Sequence, residues 1–265
     1  MVTILDVIYA RVPEAHTRAM RMGQRLVVPR AARGSDRVIA ISRAAAADIS
    51  ELLGVDRDRI DVVYPGAKPP GPATPEGELR GRLGLGADQI VLSASARRPH
   101  KNLPRLLAAF KELGPGETPL LVLPGYRTPF DDDITEQAER LGIAARVRLL
   151  DWVSDSDLEG LYAAAKCVVF PSLIEGFGMP VLEAMERGVP VACSSTSSLP
   201  EVGGDAVRYF DPLEVGDIAS ALTELLGDTD LREHLAAAGR RRAASFTWER
   251  AARETAESYE RAWGE

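Results

Sequence analysis

KCVVFPSLIEGFGMPVLEAMERGVPVACS, residues 166–194, holds two short apolar runs on either side of a helical pattern. CVVF and VPVACS read as strands, PVLEAMERG as the helix between them. Both runs are apolar throughout rather than alternating, as strands are when helices cover both faces of a parallel sheet. The same unit recurs upstream. QIVLSAS (89–95) reads as a strand, and NLPRLLAAFKEL as a helix with Asn102 as N-cap and Pro104 in its first turn. PLLVLPG (119–125) is a strand, DDITEQAERLG a helix, and RVRLL (146–150) a strand. SDSDLEGLYAAA follows, with Ser154 and Asp157 spaced as in a capping box. The fold class is α/β, a doubly wound parallel sheet whose ligands bind at the carboxyl ends of the strands.

The tail reads as three amphipathic helices, EVGDIASALTELLG, LREHLAAAGRRRAAS and FTWERAARETAESYERAW, the last capped by Thr247. The front differs. VTILDVIYA (2–10), RVIAIS (37–42) and RIDVVY (59–64) read as strands, with helices at about 14–33 and 43–54. Two helices cannot cover both faces of three buried-type strands, so residues 1–66 read as part of a Rossmann-like domain. That predicts an exposed apolar edge or face and pairing with a partner chain or a second copy. The proline-rich stretch AKPPGPATPEG (67–77) reads as a linker. The expected division is 1–66, 67–245 and a closing helix within 246–265.

With 265 residues and 45% hydrophobic content, the chain can bury a substantial core. A net charge of −7 argues against nucleic acid as the main partner. Arginine outnumbers lysine 28 to four, so a lysine in a proline loop stands out. Cys167 and Cys193 each lie in an apolar run and read as buried thiols in a reducing compartment. With no signal pattern and no run of about 20 apolar residues, the expectation is a cytoplasmic protein.

In PSLIEGFGMPVLEAM the N–H groups of Gly176, Phe177, Gly178 and Met179 fall at the positive end of a helix, a ready anion site. Glu175 precedes that turn and Glu183 lies just inside the helix; carboxylates there suit sugar and ribose hydroxyls, with a diphosphate between them. The plainer reading is that Glu183 complements the helix dipole and Glu175 is a solvated loop acid. A second loop, ARRPHKN (96–102), places Arg97, Arg98 and Lys101 beyond a strand end, where they can face a diphosphate. The plainer reading there is a basic surface loop.

Together these loops resemble the donor domain of GT-B glycosyltransferases of the retaining family 4 type. The marks are Glu175-x7-Glu183 around a G-F-G-x-P turn, PHKN at 99–102 and SLPEVGGD at 198–205. The resemblance continues through VRLLDWVSDSDLEGLYAAA (147–165) and the front, covering nearly the whole chain. It implies that Glu175 holds the transferred sugar and Glu183 the ribose, while Lys101 and the N–H groups of 177–179 neutralise the diphosphate. Trp152 and Val153 would lie beside the base, as would Gly125 at its strand end, and helix 247–263 would pack back on the front. No metal or cofactor is implied; the donor is a nucleotide-diphosphate sugar, of mannosyl or glucosyl type, and the anomeric configuration is retained.

Three departures stand against the resemblance. The family's arginine five or six residues before the lysine is replaced by Ser95 and Ala96. Its histidine in the segment matching TILDV is replaced by Leu5. Its first strands have no counterpart here. Two rival expectations follow: an enzyme completed by a partner, or a nucleotide-sugar-binding module with impaired catalysis. A glycosidase using the two carboxylates directly leaves the anion cradle unexplained. His16, His100 and His234 read as helix or loop surface residues. Arg18, Arg21 and Arg25 share one side of a basic front helix and read either as a solvated or docking face or as a contact with an anionic membrane.

Overall fold

The computed structural model describes residues 1–15, 18–113 and 119–264. The front contains β1 (Val2–Ile4), α1 (Ile8–Arg11), α2 (Arg18–Gly34), β2 (Val38–Ala40), α3 (Arg43–Leu53) and β3 (Ile60–Val62). Next come α4 (Glu76–Leu83), β4 (Ile90–Leu92), α5 (Leu103–Glu112), β5 (Leu120–Pro124), α6 (Asp131–Arg140) and β6 (Val147–Leu150). Then follow α7 (Asp155–Ala164), β7 (Ala165–Phe170), α8 (Met179–Arg187), β8 (Val191–Ser194), α9 (Leu199–Gly203) and β9 (Arg208–Phe210). The chain closes with α10 (Val215–Gly227), α11 (Thr229–Ala243) and α12 (Trp248–Trp263).

The strands form two parallel sheets, a three-stranded one in the order β1-β2-β3 and a six-stranded one in the order β6-β5-β4-β7-β8-β9. The continuous apolar strands of the larger sheet have their explanation here. Ile90, Leu92, Val168 and Phe170 face one core with α7 and α8, while Val91, Cys167 and Val169 face the other with α5 and α10. Both cysteines are buried free thiols, and burial pushes Cys167 up to about 12.

The front departs from its sequence reading in two ways. The first strand stops at Ile4, because the Asp6 carboxylate accepts from Ile8 N–H at 3.0 Å and turns the chain into α1. The second sheet face is covered after all, since α12 lays Ala251 against Ile39 and Val63. Asp61 fixes that contact, accepting from Ser258 at 2.5 Å and pairing with Arg37 at 2.7 Å and Arg261 at 3.1 Å. Exposed apolar side chains instead sit on α2, at Met20, Met22, Leu26 and Val27. Arg25 of that helix is exposed and Arg21 half-buried; the side chain of Arg18 lies outside the described residues, as does His16. Among the described residues no helix is long and apolar enough to cross a membrane. The sequence reading missed α4, α9 and β9.

Candidate functional site

In the larger sheet the chain moves outward from β4 to β6, then returns to β7 beside β4 and continues to β9. The order reverses between β4 and β7, so the loops leaving those strands open a crevice at their carboxyl ends. These are residues 93–102 and 171–178, the two loops singled out from the sequence.

The loop after β7 is held from three directions. Ser197 Oγ accepts from Glu175 N–H at 3.1 Å and donates to its carbonyl at 2.8 Å. Ser198 Oγ donates to the Phe177 carbonyl at 2.7 Å. From the front sheet, Ser42 Oγ donates to the Gly176 carbonyl at 2.7 Å, while also capping α3. Gly176 passes so close to the front that a Cβ would lie 2.7 Å from the Leu5 carbonyl. Gly178 takes φ +114°, a conformation that glycine adopts without strain, and leads directly into α8. Among the described residues the N–H groups of Gly176, Phe177, Gly178 and Met179 donate to no protein acceptor, so they remain open for an anion.

The structure brings together Lys101 and Glu175. Nζ lies 2.6 Å from Oε1, both side chains are about nine-tenths buried, and the ammonium rests 4.9 Å from the Phe170 ring centre. A cavity of about 340 Å³ borders this pair, lined also by Arg98, Met179, Leu5 and Asp6. The guanidinium of Arg98 makes no ion pair or hydrogen bond among the described residues and is the loop's available cation.

Arg97 requires correction. It is 1% exposed, bonds both oxygens of Asp131 at 2.9 and 2.7 Å, and donates to the carbonyls of Leu123 and Leu150. Its charge is neutralised away from the crevice, tying the ends of β4, β5 and β6. Asn102 also differs in detail. It occupies the N-cap position, but its side chain donates to the carbonyls of Pro171 and Pro212, clamping the loops after β7 and β9. His100 is buried at 5% exposure rather than on the surface, while His234 is exposed as expected.

A second cavity of about 200 Å³ continues past Ala96, lined by Gly125, Tyr126, Trp152, Val153, Asp155 and Glu183 among others. Gly125 lets β5 end against β4, since a Cβ would fall 2.4 Å from the Ser95 carbonyl. Glu183 accepts from Tyr162 Oη at 3.1 Å, and desolvation raises its carboxyl above the ordinary range despite that bond. At the rim Tyr126 and Trp152 stack with centroids 4.7 Å apart, both nearly two-thirds exposed. Tyr126 escaped the sequence reading; an aromatic directly after a strand-terminating glycine was its signal. Ser42, Ser197 and Ser198 escaped too, as their roles depend on contacts far along the chain.

Two Rossmann-like sheets facing one another across a crevice, with an anion cradle, a buried Lys–Glu pair and a second carboxylate at the switch point, define the GT-B architecture. The chain belongs to the glycosyl transferases group 1 family, whose model matches residues 77–242; the Glycosyltransferase Family 4 model matches residues 7–69. O-antigen chain mannosyltransferase B of Escherichia coli is 42% identical over 172 residues, 64% of this chain and 45% of that protein. MMP alpha-(1->4)-mannosyltransferase of Mycolicibacterium hassiacum is 32% identical over 237 residues, 88% of this chain and 56% of that protein. The chain thus spans about half the length of these curated relatives. Among solved structures, Anabaena Alr3699/HepE in complex with UDP-glucose superimposes with a TM-score of 0.81 at 22% identity, covering 100% of this chain and 72% of that one.

Proposed function

We propose that this chain transfers a hexose, mannose or glucose, from a nucleotide-diphosphate sugar with retention of configuration. The observation that carries the proposal is the grouping of Lys101, Glu175 and the open N–H groups of 176–179 in one crevice that runs on to Glu183. The diphosphate lies at the start of α8, facing Lys101 and Arg98, where fixed donors meet the charge that builds on the leaving group. Glu175 accepts from hydroxyls of the transferred sugar, Glu183 from the ribose, and the base lies by Trp152, Val153 and Gly125. The C1–O bond to the diphosphate breaks, its electron pair passing to the phosphate oxygen. The acceptor hydroxyl attacks C1 on the same face and its proton passes to that oxygen. We read this chemistry as metal-independent, because the cation and the helix N-terminus already oppose the charge.

Residues 67–245 then form the donor domain, and residues 1–66 with the helix in 246–265 the acceptor side, completed by a partner chain or a second copy. The exposed apolar side chains and Arg25 of α2 give a docking surface for that chain, or a peripheral contact with an anionic membrane. Sedimentation with anionic vesicles, set against the oligomeric state in solution, separates the two.

A second reading has its own support. Leu5 is 59% exposed and borders the cavity beside Glu175, with Ala96 at the same wall, so neither side chain offers the sugar or diphosphate a hydrogen bond. On that reading the chain binds a nucleotide sugar without transferring it.

Thermal unfolding with UDP, GDP or ADP tests the site. Ligand at about 100 times its dissociation constant stabilises by about 2.7 kcal/mol. One nucleotide should do so, and Glu183→Ala should abolish it; stabilisation by none refutes the donor site. Glycosyl transfer by the unmodified chain, alone or co-expressed with its partner, then decides for the enzyme. Binding without transfer, unrestored by Leu5→His, decides for the binding module.

A further inference from the structure

The N–H groups of the cradle are aimed through the carbonyls of the same loop. In a trans peptide unit the C=O of one residue and the N–H of the next share a plane and point opposite ways, and the peptide units of this loop are trans. Three successive carbonyls each accept from a serine hydroxyl: Glu175 from Ser197 at 2.8 Å, Gly176 from Ser42 at 2.7 Å and Phe177 from Ser198 at 2.7 Å. The N–H groups of Gly176, Phe177 and Gly178 are the other ends of those units, so each is turned away from its serine. Ser197 and Ser198 stand together just before α9. The middle serine, Ser42, is fully buried and comes from the front, 134 positions away.

Ser42 is itself seated by a residue of the donor side. It caps α3, accepting from Ala45 N–H at 2.9 Å, while the two preceding N–H groups, on Arg43 and Ala44, donate to the Glu201 carboxylate at 2.8 and 2.7 Å. Glu201 lies in α9, three residues after Ser198, and its charge meets the positive end of α3. Tyr64, just past β3, donates to the same carboxylate at 3.0 Å and sets its ring 6.0 Å from that of Phe177, centroid to centroid. The SLPEVGGD segment therefore holds the cradle with Ser198 and the front with Glu201. We propose that Ser42, seated by Glu201, is a positioning residue for the diphosphate: the front completes the anion cradle by fixing the peptide unit that carries Phe177 N–H. This rests on the nucleotide-sugar reading. By linkage, a bound diphosphate strengthens the docking of the front on the donor side as much as that docking strengthens diphosphate binding.

Calorimetric titration of the full chain, Ser42→Ala, Glu201→Gln and Asp228→Ala tests this, with UDP, GDP and ADP and with the nucleoside matching whichever of them binds. The nucleoside reaches Glu183 and the second cavity but carries nothing for the cradle. Asp228 caps α11, accepting from Leu231 N–H at 2.9 Å, and lines neither cavity, so its loss matches the cap lost in Ser42→Ala without touching the cradle. Ser42→Ala should bind the diphosphate about tenfold more weakly, the scale of one hydrogen bond to a charged group. Glu201→Gln should weaken it about threefold, since the amide keeps only one accepting oxygen. Nucleoside affinity should not change in either, and Asp228→Ala should bind both ligands as the parent does. Diphosphate binding undiminished in Ser42→Ala or in Glu201→Gln overturns the assignment, as does an equal loss for diphosphate and nucleoside. Binding of no nucleotide by the unmodified chain overturns the donor-site reading itself, and this assignment with it.

Discussion

Lys101→Met removes the cation from a pair whose members are 12% and 10% exposed and 2.6 Å apart. Glu175 keeps its place, because its backbone is held by Ser197 and Ser198 and cannot swing to solvent. An uncompensated, mostly buried carboxylate is then left, and such a loss costs about 3–5 kcal/mol for a fully buried pair. The cavity beside the pair admits water, which sets the expectation at the lower end, about 3 kcal/mol. For a chain of this size that is a fall of roughly 6–12 °C in melting temperature. Removing both charges, in Lys101→Met with Glu175→Gln, should recover most of the loss, since no unpaired charge remains. Scanning calorimetry at pH 7.5 on the four proteins of the cycle measures the coupling directly. A Lys101→Met protein melting within about 2 °C of the parent, or a double variant no better than the single, would refute the reasoning. On the proposed transferase reading, both single variants should also lose nucleotide-sugar turnover.

Three further perturbations are decisive elsewhere. Arg37, with help from Ser258, holds the Asp61 carboxyl down at about 2. A depressed carboxylate stabilises fully above its unfolded value and loses that contribution as pH falls from about 4 to about 2, which linkage puts at about 2 kcal/mol. Asp61→Asn should therefore melt lower at pH 7 and lack that acid-dependent step, and an unchanged melt at pH 7 would count against the α12 clasp. Glu183 runs the other way. Burial raises its carboxyl, so the charged form costs stability above the unfolded value, and Glu183→Gln should raise the melting point at pH 7 more than at pH 4 while weakening nucleotide binding; a destabilised variant would show that the desolvation argument is wrong. Gly176→Ala drives a Cβ to 2.7 Å from the Leu5 carbonyl and 3.0 Å from Asp6 Cβ. It should cost about 1–3 kcal/mol by chemical denaturation, and a neutral outcome would mean that the two sheets do not approach this closely in solution.

What the sequence determined by itself is the doubly wound sheet and the position of its two key loops. Those signals are local: apolar runs of strand length, helical periodicity between them, and a glycine turn opening a helix each lie within about 20 residues, as in 166–194. The same locality placed Glu175 and Lys101 in the loops beyond strand ends, Glu183 in the helix that follows, and Thr247 at its cap, which the structure keeps with Thr247 accepting from Arg250 N–H at 3.1 Å. Only the tertiary structure decided which cation faces the crevice, because Arg97 and Arg98 are neighbours whose difference is Asp131, 34 residues further on. It alone paired Lys101 with Glu175 across 74 positions, set Tyr126 on Trp152, and returned α12 to the front sheet through Ser258 and Asp61. Backbone preference fixes where a strand or helix forms, but the destination of a side chain depends on which strands become neighbours, and that is settled by packing between distant segments.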